Sequence, residues 1–137
     1  MATKRERDKA AKLERLAHAN ALIQVISKHG RRFFYCKSTD RVASLTLDAF
    51  GRVIYHDDFT GKAVYTPYSG RWSGFSHGGT LRSLIELMAR YVARGIPLGR
   101  WVIGPVINPG RNIWGYPAEA MDACRAEAYA LPMFKLE

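Results

Sequence analysis

The stretch from Thr80 to Gly95 constrains the fold more than any other part of the sequence. Its apolar residues recur at the i, i+3, i+4, i+7 spacing of one helix face: Leu81, Leu84, Ile85, Met88, Tyr91 and Val92. Thr80 is suited to cap the start of this helix, Gly95 to end it, and Pro97 to block its continuation. The pattern therefore predicts an amphipathic helix that packs one face on another layer of structure.

A second helix is predicted over residues 3–28. Its first part, Lys4 to Arg15, carries six basic and three acidic residues. We interpret residues 1–12 as a basic N-terminal arm and residues 13–137 as one domain. The apolar face of the helix is expected to consist of Leu13, Leu16, Ala19, Ile23 and Ile26. The alternative for the charge run is an ordinary solvated helix face.

The pattern between these helices is that of an antiparallel sheet. Four segments are aromatic or alternate in polarity, as strands do, and turn residues separate them: residues 33–36, 41–48, 52–57 and 62–66. We predict an α+β fold with a three- to four-stranded antiparallel meander and helices covering one face of the sheet.

The pattern weakens after Gly95. Residues 100–103 are a candidate strand, and Pro117 suits the first position of a short C-terminal helix. The residues of that helix expected to face the core are Met121, Cys124 and Ala128. Cys36 and Cys124 lack metal-ligand spacing, so both are predicted to be buried, reduced thiols.

The net charge of +9 indicates a polyanionic or acidic partner, although many small basic proteins bind nothing specific. Most of the basic residues are arginine, which suits bidentate phosphate contacts and stacking on aromatic rings. No long apolar run is present, so no membrane segment is expected, and we predict a cytoplasmic protein.

The glycine-rich loop before the amphipathic helix is the first candidate site. Gly78, Gly79 and Thr80 would present backbone N–H groups at a helix N-terminus, where the helix dipole favours an anion. The polar side chains that could complete an anion or phosphate site are Arg71, Ser76, His77, Arg82 and Ser83. The alternative is a plain strand-to-helix turn, because no Walker or dinucleotide glycine pattern is present.

The second candidate is the run His56-Asp57-Asp58. Its side chains could hold a divalent metal or orient a water, with His56 and Asp58 on one strand face and Asp57 on the other. Aspartates followed by Gly61 are also typical of a turn, which is the interpretation we favour. A hydrolase built on His56, Asp58 and His77 is a minor alternative, and we predict no catalytic residue, metal or cofactor.

The third candidate is a set of aromatic residues beside basic ones. Arg31 and Arg32 precede an aromatic run, and Arg71 precedes Trp72. Such pairs can stack bases and bind phosphates, whereas most aromatic residues simply fill a core. Including the basic arm, the candidate nucleic-acid or anion-binding residues are Arg71, Trp72, His77, Gly78, Gly79, Thr80, Arg82, Arg31, Arg32, Lys4, Arg5 and Arg7.

The run Gly70 to Arg82, G-R-W-S-G-F-S-H-G-G-T-L-R, resembles a motif of small proteins from phages, prophages and mobile elements of proteobacteria. The resemblance covers about residues 22–105, and a late Trp-Gly-Tyr at residues 114–116 is similar too. It brings no activity with it. It implies an accessory gene of the kind that often encodes small inhibitors of host defence or regulators of transcription.

We predict a non-enzymatic accessory binding protein that engages nucleic acid or the host machinery that handles it. One alternative is a protein inhibitor of a host defence complex that makes no nucleic-acid contact. Another is a sponge for a phosphorylated signal nucleotide bound at the glycine-rich loop.

Overall fold

The computed structural model describes residues 3–30, 34–77, 79–98 and 118–134, which form an α+β fold. The elements in chain order are α1 (Lys4–Gly30), β1 (Tyr35–Cys36), β2 (Arg41–Val42), β3 (Ser44–Leu47), β4 (Val53–His56), β5 (Ala63–Tyr65), α2 (Gly79–Arg94) and α3 (Ala118–Tyr129). The predicted fold class is confirmed. Among the described helices, none is both long and apolar enough to cross a membrane.

The predicted meander is divided between two antiparallel sheets. Strands β3, β4 and β5 pair in that order, while β1 and β2 form a separate hairpin. The strand predicted over residues 41–48 is interrupted at Ala43, whose N–H donates to the carbonyl of Phe34 at 2.8 Å. This bond ties the chain to the β1–β2 side before it enters the main sheet.

The main sheet has one buried and one solvent-facing side. Leu45, Tyr55 and Val64 stand opposite one another in register and are buried. The next row, Thr46, Ile54 and Tyr65, points the other way because side chains alternate along a strand. Helices α1 and α2 pack on the buried side, as the sequence predicted.

Helix α1 packs against both other helices and the sheet. Its start is a capping box, in which the Glu6 N–H donates to Thr3 Oγ1 at 3.1 Å and the Thr3 N–H donates to Glu6 Oε2 at 3.3 Å. Leu13 was predicted to face the core but is 48% exposed, because the helix projects beyond the core at this point. Contact with the core begins at Leu16.

Helix α2 has the predicted buried stripe, and its end is as predicted. Gly95 has a φ of +74°, and its N–H donates to the Tyr91 carbonyl at 2.8 Å. Its start is different: the helix begins at Gly79, so Thr80 lies inside the first turn rather than at the cap.

The predicted C-terminal helix is present as α3. Cys124 and Ala128 are buried as expected, whereas Cys36 is only half-buried because it lies on the short β1–β2 hairpin. Burial raises the pKa of the Cys124 thiol to about 11, so this cysteine stays protonated. The candidate strand at residues 100–103 and the side chain of Met121 lie outside the described residues.

Candidate functional site

The glycine-rich loop is held on the sheet by a buried aspartate. Asp57 Oδ1 accepts hydrogen bonds from the backbone N–H of Ser76 at 2.9 Å and from its hydroxyl at 3.0 Å. Asp57 Oδ2 accepts from the N–H groups of Phe59 and Thr60 at 3.0 and 2.9 Å. Burial raises the pKa of this carboxyl, but these hydrogen bonds outweigh burial and hold the pKa below its usual value. Asp57 is therefore a buried anion that joins the β4–β5 turn to the loop.

Asp58 forms a second connection beside the first. His77 Nε2 lies 2.6 Å from Asp58 Oδ1, and the Tyr55 hydroxyl donates to the same oxygen at 3.3 Å. Burial, together with the charges of Asp58 and Asp57, raises the pKa of Tyr55, so its hydroxyl remains a donor. The rings of Phe34 and Phe75 each meet His77 edge-on at 5.8 Å. This imidazole is enclosed by apolar rings on two sides.

The structure thus brings together Asp57, Asp58 and His77, whose potential ligand atoms lie within 4.8 Å of one another. Each Asp57 oxygen already accepts two hydrogen bonds, which leaves this carboxylate little capacity to bind a metal. The turn that we favoured for this segment is confirmed, since Gly61 has a φ of +70° and donates to the Asp57 carbonyl at 3.0 Å.

His56 lies apart from this cluster. Its Nε2 contacts the Thr46 hydroxyl at 2.7 Å, across the β3–β4 pair. The prediction that His56 and Asp58 share a strand face is wrong, because β4 ends at His56 and the alternation stops before Asp58. The three residues of the hydrolase alternative are therefore not assembled together.

Two further predicted site residues contact each other and the loop backbone. Trp72 is only 5% exposed, and its Nε1 donates to the Tyr68 carbonyl at 2.8 Å. The Arg82 guanidinium lies over the Trp72 ring at 4.3 Å and donates to the carbonyls of Tyr68 and Ser69, each at 3.2 Å. These contacts commit one nitrogen of the guanidinium, Nη2, to the loop backbone.

The other predicted site residues lie at scattered positions. Arg71 is exposed on the loop, and Gly79 and Thr80 form the first two positions of α2. Gly78, Arg31 and Arg32 lie outside the described residues. Anion binding at the glycine-rich loop stays a prediction.

The basic arm forms one side of a surface groove. We use the name basic–aromatic groove for the cleft between the start of α1 and the β3–β4 turn, which encloses about 1000 Å³. Its lining residues are Lys4, Arg5, Asp8, Lys9, Lys12, Leu13, Leu47, Asp48, Ala49, Phe50 and Gly51. Arg7, also predicted as a binding residue, is exposed but does not line the groove.

Phe50 stands at the tip of the β3–β4 turn, on the far side of the groove from α1. It is 79% exposed, and the Arg52 guanidinium lies over its ring at 5.4 Å. The same guanidinium lies 5.8 Å from the ring of Tyr65 on the solvent-facing side of the sheet. At the Phe50 side of the groove, one arginine is therefore close to two exposed aromatic rings.

Sequence reasoning did not assign a binding role to Phe50 or Arg52. It recognised residues 48–51 only as a turn. A large aromatic residue at a turn that otherwise favours small polar residues is the signal that could have identified Phe50.

These features define a small, basic α+β protein with a groove lined by cationic side chains and one exposed aromatic ring. The sequence matches the YoqU family over residues 9–135, and the chain belongs to that family. It is 31% identical over 119 residues to the SPbeta prophage-derived uncharacterised protein YoqU of Bacillus subtilis strain 168, covering 85% of this chain and 80% of the relative. No solved structure matches the chain.

These matches confirm the prophage association inferred from the resemblance. They show neither the proposed motif nor a proteobacterial origin.

Proposed function

We propose that this protein is a non-enzymatic accessory protein of a prophage-type element and binds nucleic acid in the cytoplasm. The observation that carries the proposal is the placement of exposed Phe50 opposite the basic side of α1, within one groove. Cationic side chains beside an exposed aromatic ring are the combination by which proteins hold a phosphate backbone and stack a base.

The charges of the groove favour an anionic ligand. Its lining includes four basic residues and only two acidic ones: Lys4, Arg5, Lys9 and Lys12, and Asp8 and Asp48. Asp48 Oδ1 accepts the N–H groups of Phe50 and Arg52 at 2.8 and 2.9 Å, so its charge is partly compensated by backbone donors. These cations are spaced one, four and three residues apart on α1, so they lie along one side of the helix over a length of about 12 Å.

We propose a structural role for the Asp57–Asp58–His77 cluster. Its carboxylates accept bonds from the loop and turn around them, and His77 is enclosed by rings. Such an arrangement stabilises the base of the loop and does not require a substrate.

The proposal predicts that removing two groove lysines weakens nucleic-acid binding. For five phosphate contacts on a single strand, the logarithm of the affinity should fall with the logarithm of salt concentration with a slope of about −3.5. The double variant Lys9→Ala/Lys12→Ala should lower the affinity and reduce that slope by about 1.4. Fluorescence anisotropy with labelled oligonucleotides, from about 50 to about 200 mM salt, measures both quantities.

The matched control removes the same charge from α2. Arg90 and Arg94 are exposed there, so Arg90→Ala/Arg94→Ala changes the net charge equally without touching the groove. Equal losses in the two double variants would contradict a groove-specific site. Absence of binding to any nucleic acid at low salt would overturn the proposal and favour the protein-inhibitor alternative.

A further inference from the structure

We infer that the ligand of the basic–aromatic groove is single-stranded nucleic acid, with one unpaired base stacked on Phe50. This inference rests on the proposed function and names its substrate class. It starts from Phe50, whose ring is 79% exposed and lies outside the hydrophobic core.

The β3–β4 turn is built to hold Phe50 in one position. Asp48 accepts two backbone N–H groups through its side chain, and its own N–H donates to the Arg52 carbonyl at 2.9 Å. The Gly51 N–H donates to the Asp48 carbonyl at 3.1 Å, and Gly51 has a φ of +76°, which favours glycine. The turn is therefore preorganised, and an exposed aromatic ring is presented at its tip.

The surroundings of Phe50 supply the other contacts that a single strand needs. The Arg52 guanidinium lies 5.4 Å from the ring of Phe50 and 5.8 Å from that of Tyr65, so a cation is placed beside two rings. The lysines of α1 line the opposite side of the groove. A strand crossing from α1 to the outer side of the sheet would meet cations, a ring, a cation and a second ring in turn.

A duplex cannot use this arrangement in the same way. Its base faces are covered by the neighbouring base pairs, so a ring could reach them only by unstacking a step, which costs a few kcal/mol. Unpaired bases offer their faces without that cost, and stacking on aromatic side chains is the usual way in which proteins recognise them. Phe50 therefore selects for a single strand, while the lysines attract either form.

The test compares an oligothymidine of about a dozen nucleotides with a hairpin duplex of the same length in anisotropy titrations. We expect tighter binding of the single strand. Phe50→Ala should weaken that binding by roughly 5- to 150-fold, the range found for one stacked base, and should change duplex binding little. Phe59 is the matched control: it is a 59% exposed phenylalanine on the β4–β5 turn, at the opposite end of the sheet. Phe59→Ala should leave both affinities unchanged.

A spectroscopic readout reports the stacking directly. The oligothymidine should quench the fluorescence that Phe50→Trp adds to the spectrum, whereas the fluorescence added by Phe59→Trp should not change. Circular dichroism of each variant checks the fold, which these exposed substitutions should preserve.

The outcomes separate the two proposals. If Lys9→Ala/Lys12→Ala weakens binding while Phe50→Ala has no effect, the inference is overturned and the proposed function stands. Equal affinity for single strand and duplex, with no quenching, likewise overturns the inference alone. If neither nucleic acid binds at low salt, both proposals fail.

Discussion

Asn20 shows how one side chain can set the position of a whole helix. Its amide lies on α1 beside β3, which is an edge strand of the main sheet. Asn20 Nδ2 donates to the Leu45 carbonyl at 2.9 Å, and the Leu45 N–H donates to Asn20 Oδ1 at 2.7 Å. The amide thus occupies both backbone groups of Leu45 as a neighbouring strand would, which also protects the edge from pairing with another chain.

We predict that Asn20→Ala lowers the free energy of unfolding by about 1–3 kcal/mol, because it leaves two partly buried backbone groups without their partners. Urea denaturation measures the change. Gln24→Ala is the control, since Gln24 is an exposed amide on the same helix and should move stability by less than about 0.5 kcal/mol. An equal effect of the two substitutions would show that the Asn20–Leu45 pair contributes no stability.

Asp57 is the residue for which the structure predicts a pH dependence. Its folded-state pKa is lowered, so the stability it contributes is complete above its unfolded pKa of about 3.9 and is lost as pH falls through the lower folded value. Stability should therefore decline below about pH 5. Asp57→Asn should be less stable at neutral pH, because an amide nitrogen cannot accept N–H donors, and should lose less stability on acidification.

Denaturation midpoints between pH 7 and pH 3 would test this prediction, with Asp8→Asn as the exposed control. The pKa of Glu127 is also lowered, by hydrogen bonds from Lys28 and His29. The wild type and the Asp57→Asn variant therefore share this second acid-sensitive group. The comparison with Asp57→Asn isolates the contribution of Asp57. Identical pH profiles for the wild type and this variant would contradict a role for the Asp57 carboxylate.

At the level of elements, α1 combines two different helix segments. The first is exposed and charged, whereas the second carries the buried residues Ala19, Leu22, Ile23 and Ile26. The second segment is attached to α2 by the bond from Arg15 Nε to the Val92 carbonyl at 2.9 Å and by the His18–Tyr91 contact at 2.7 Å. The charged segment makes no comparable tertiary bond among the described residues, which suits it for binding a ligand.

We predict that deletion of residues 1–12 preserves the fold and weakens nucleic-acid binding. The buried face starts after the deleted part, so the melting temperature should change little, while all four groove cations of α1 are lost. Circular dichroism and anisotropy on the same sample would show both effects. An unfolded truncated protein would mean that this segment is structural, and an unchanged affinity would move the binding site elsewhere.

The loop before α2 has no regular secondary structure, yet many hydrogen bonds attach it to the rest of the fold. Thr60 Oγ1 donates to the Gly74 carbonyl at 2.6 Å, and Gly74 has a φ of +87° beside the side chain of Lys62. With Trp72 buried and Ser76 and His77 bonded to aspartates, most of the motif from Gly70 to Arg82 is occupied by scaffold contacts. In its described part, the motif that looked most functional in the sequence therefore makes many contacts that hold the fold together, whether or not it also binds an anion.

At the scale of the whole molecule, the net charge of +9 is a poor guide to the binding surface until the fold is known. Exposed basic residues occur on α1, on the loop and on α2. Only on α1 do several of them face an exposed aromatic ring across a groove, within the part of the chain that the structure describes. The fold turns a diffuse excess of charge into one defined candidate surface.

The sequence alone determined the local features: the buried stripe and glycine end of α2, the two tight turns of the meander, and the helical start of the chain. These depend on periodicity and turn chemistry, which act over a few neighbouring residues. It also supplied the right residues for the turn at Asp57, although it could not foresee that this carboxylate reaches Ser76, 19 positions later.

Only the tertiary structure decided which distant residues meet. It joined His77 to Asp58, removed His56 from that cluster, stacked Arg82 on Trp72 and placed Phe50 opposite the lysines of α1. No local pattern encodes these contacts, because they depend on how α1, the sheet and the loop pack together to bury their apolar faces. The same packing leaves the first turns of α1 beyond the core, and for that physical reason a groove exists there.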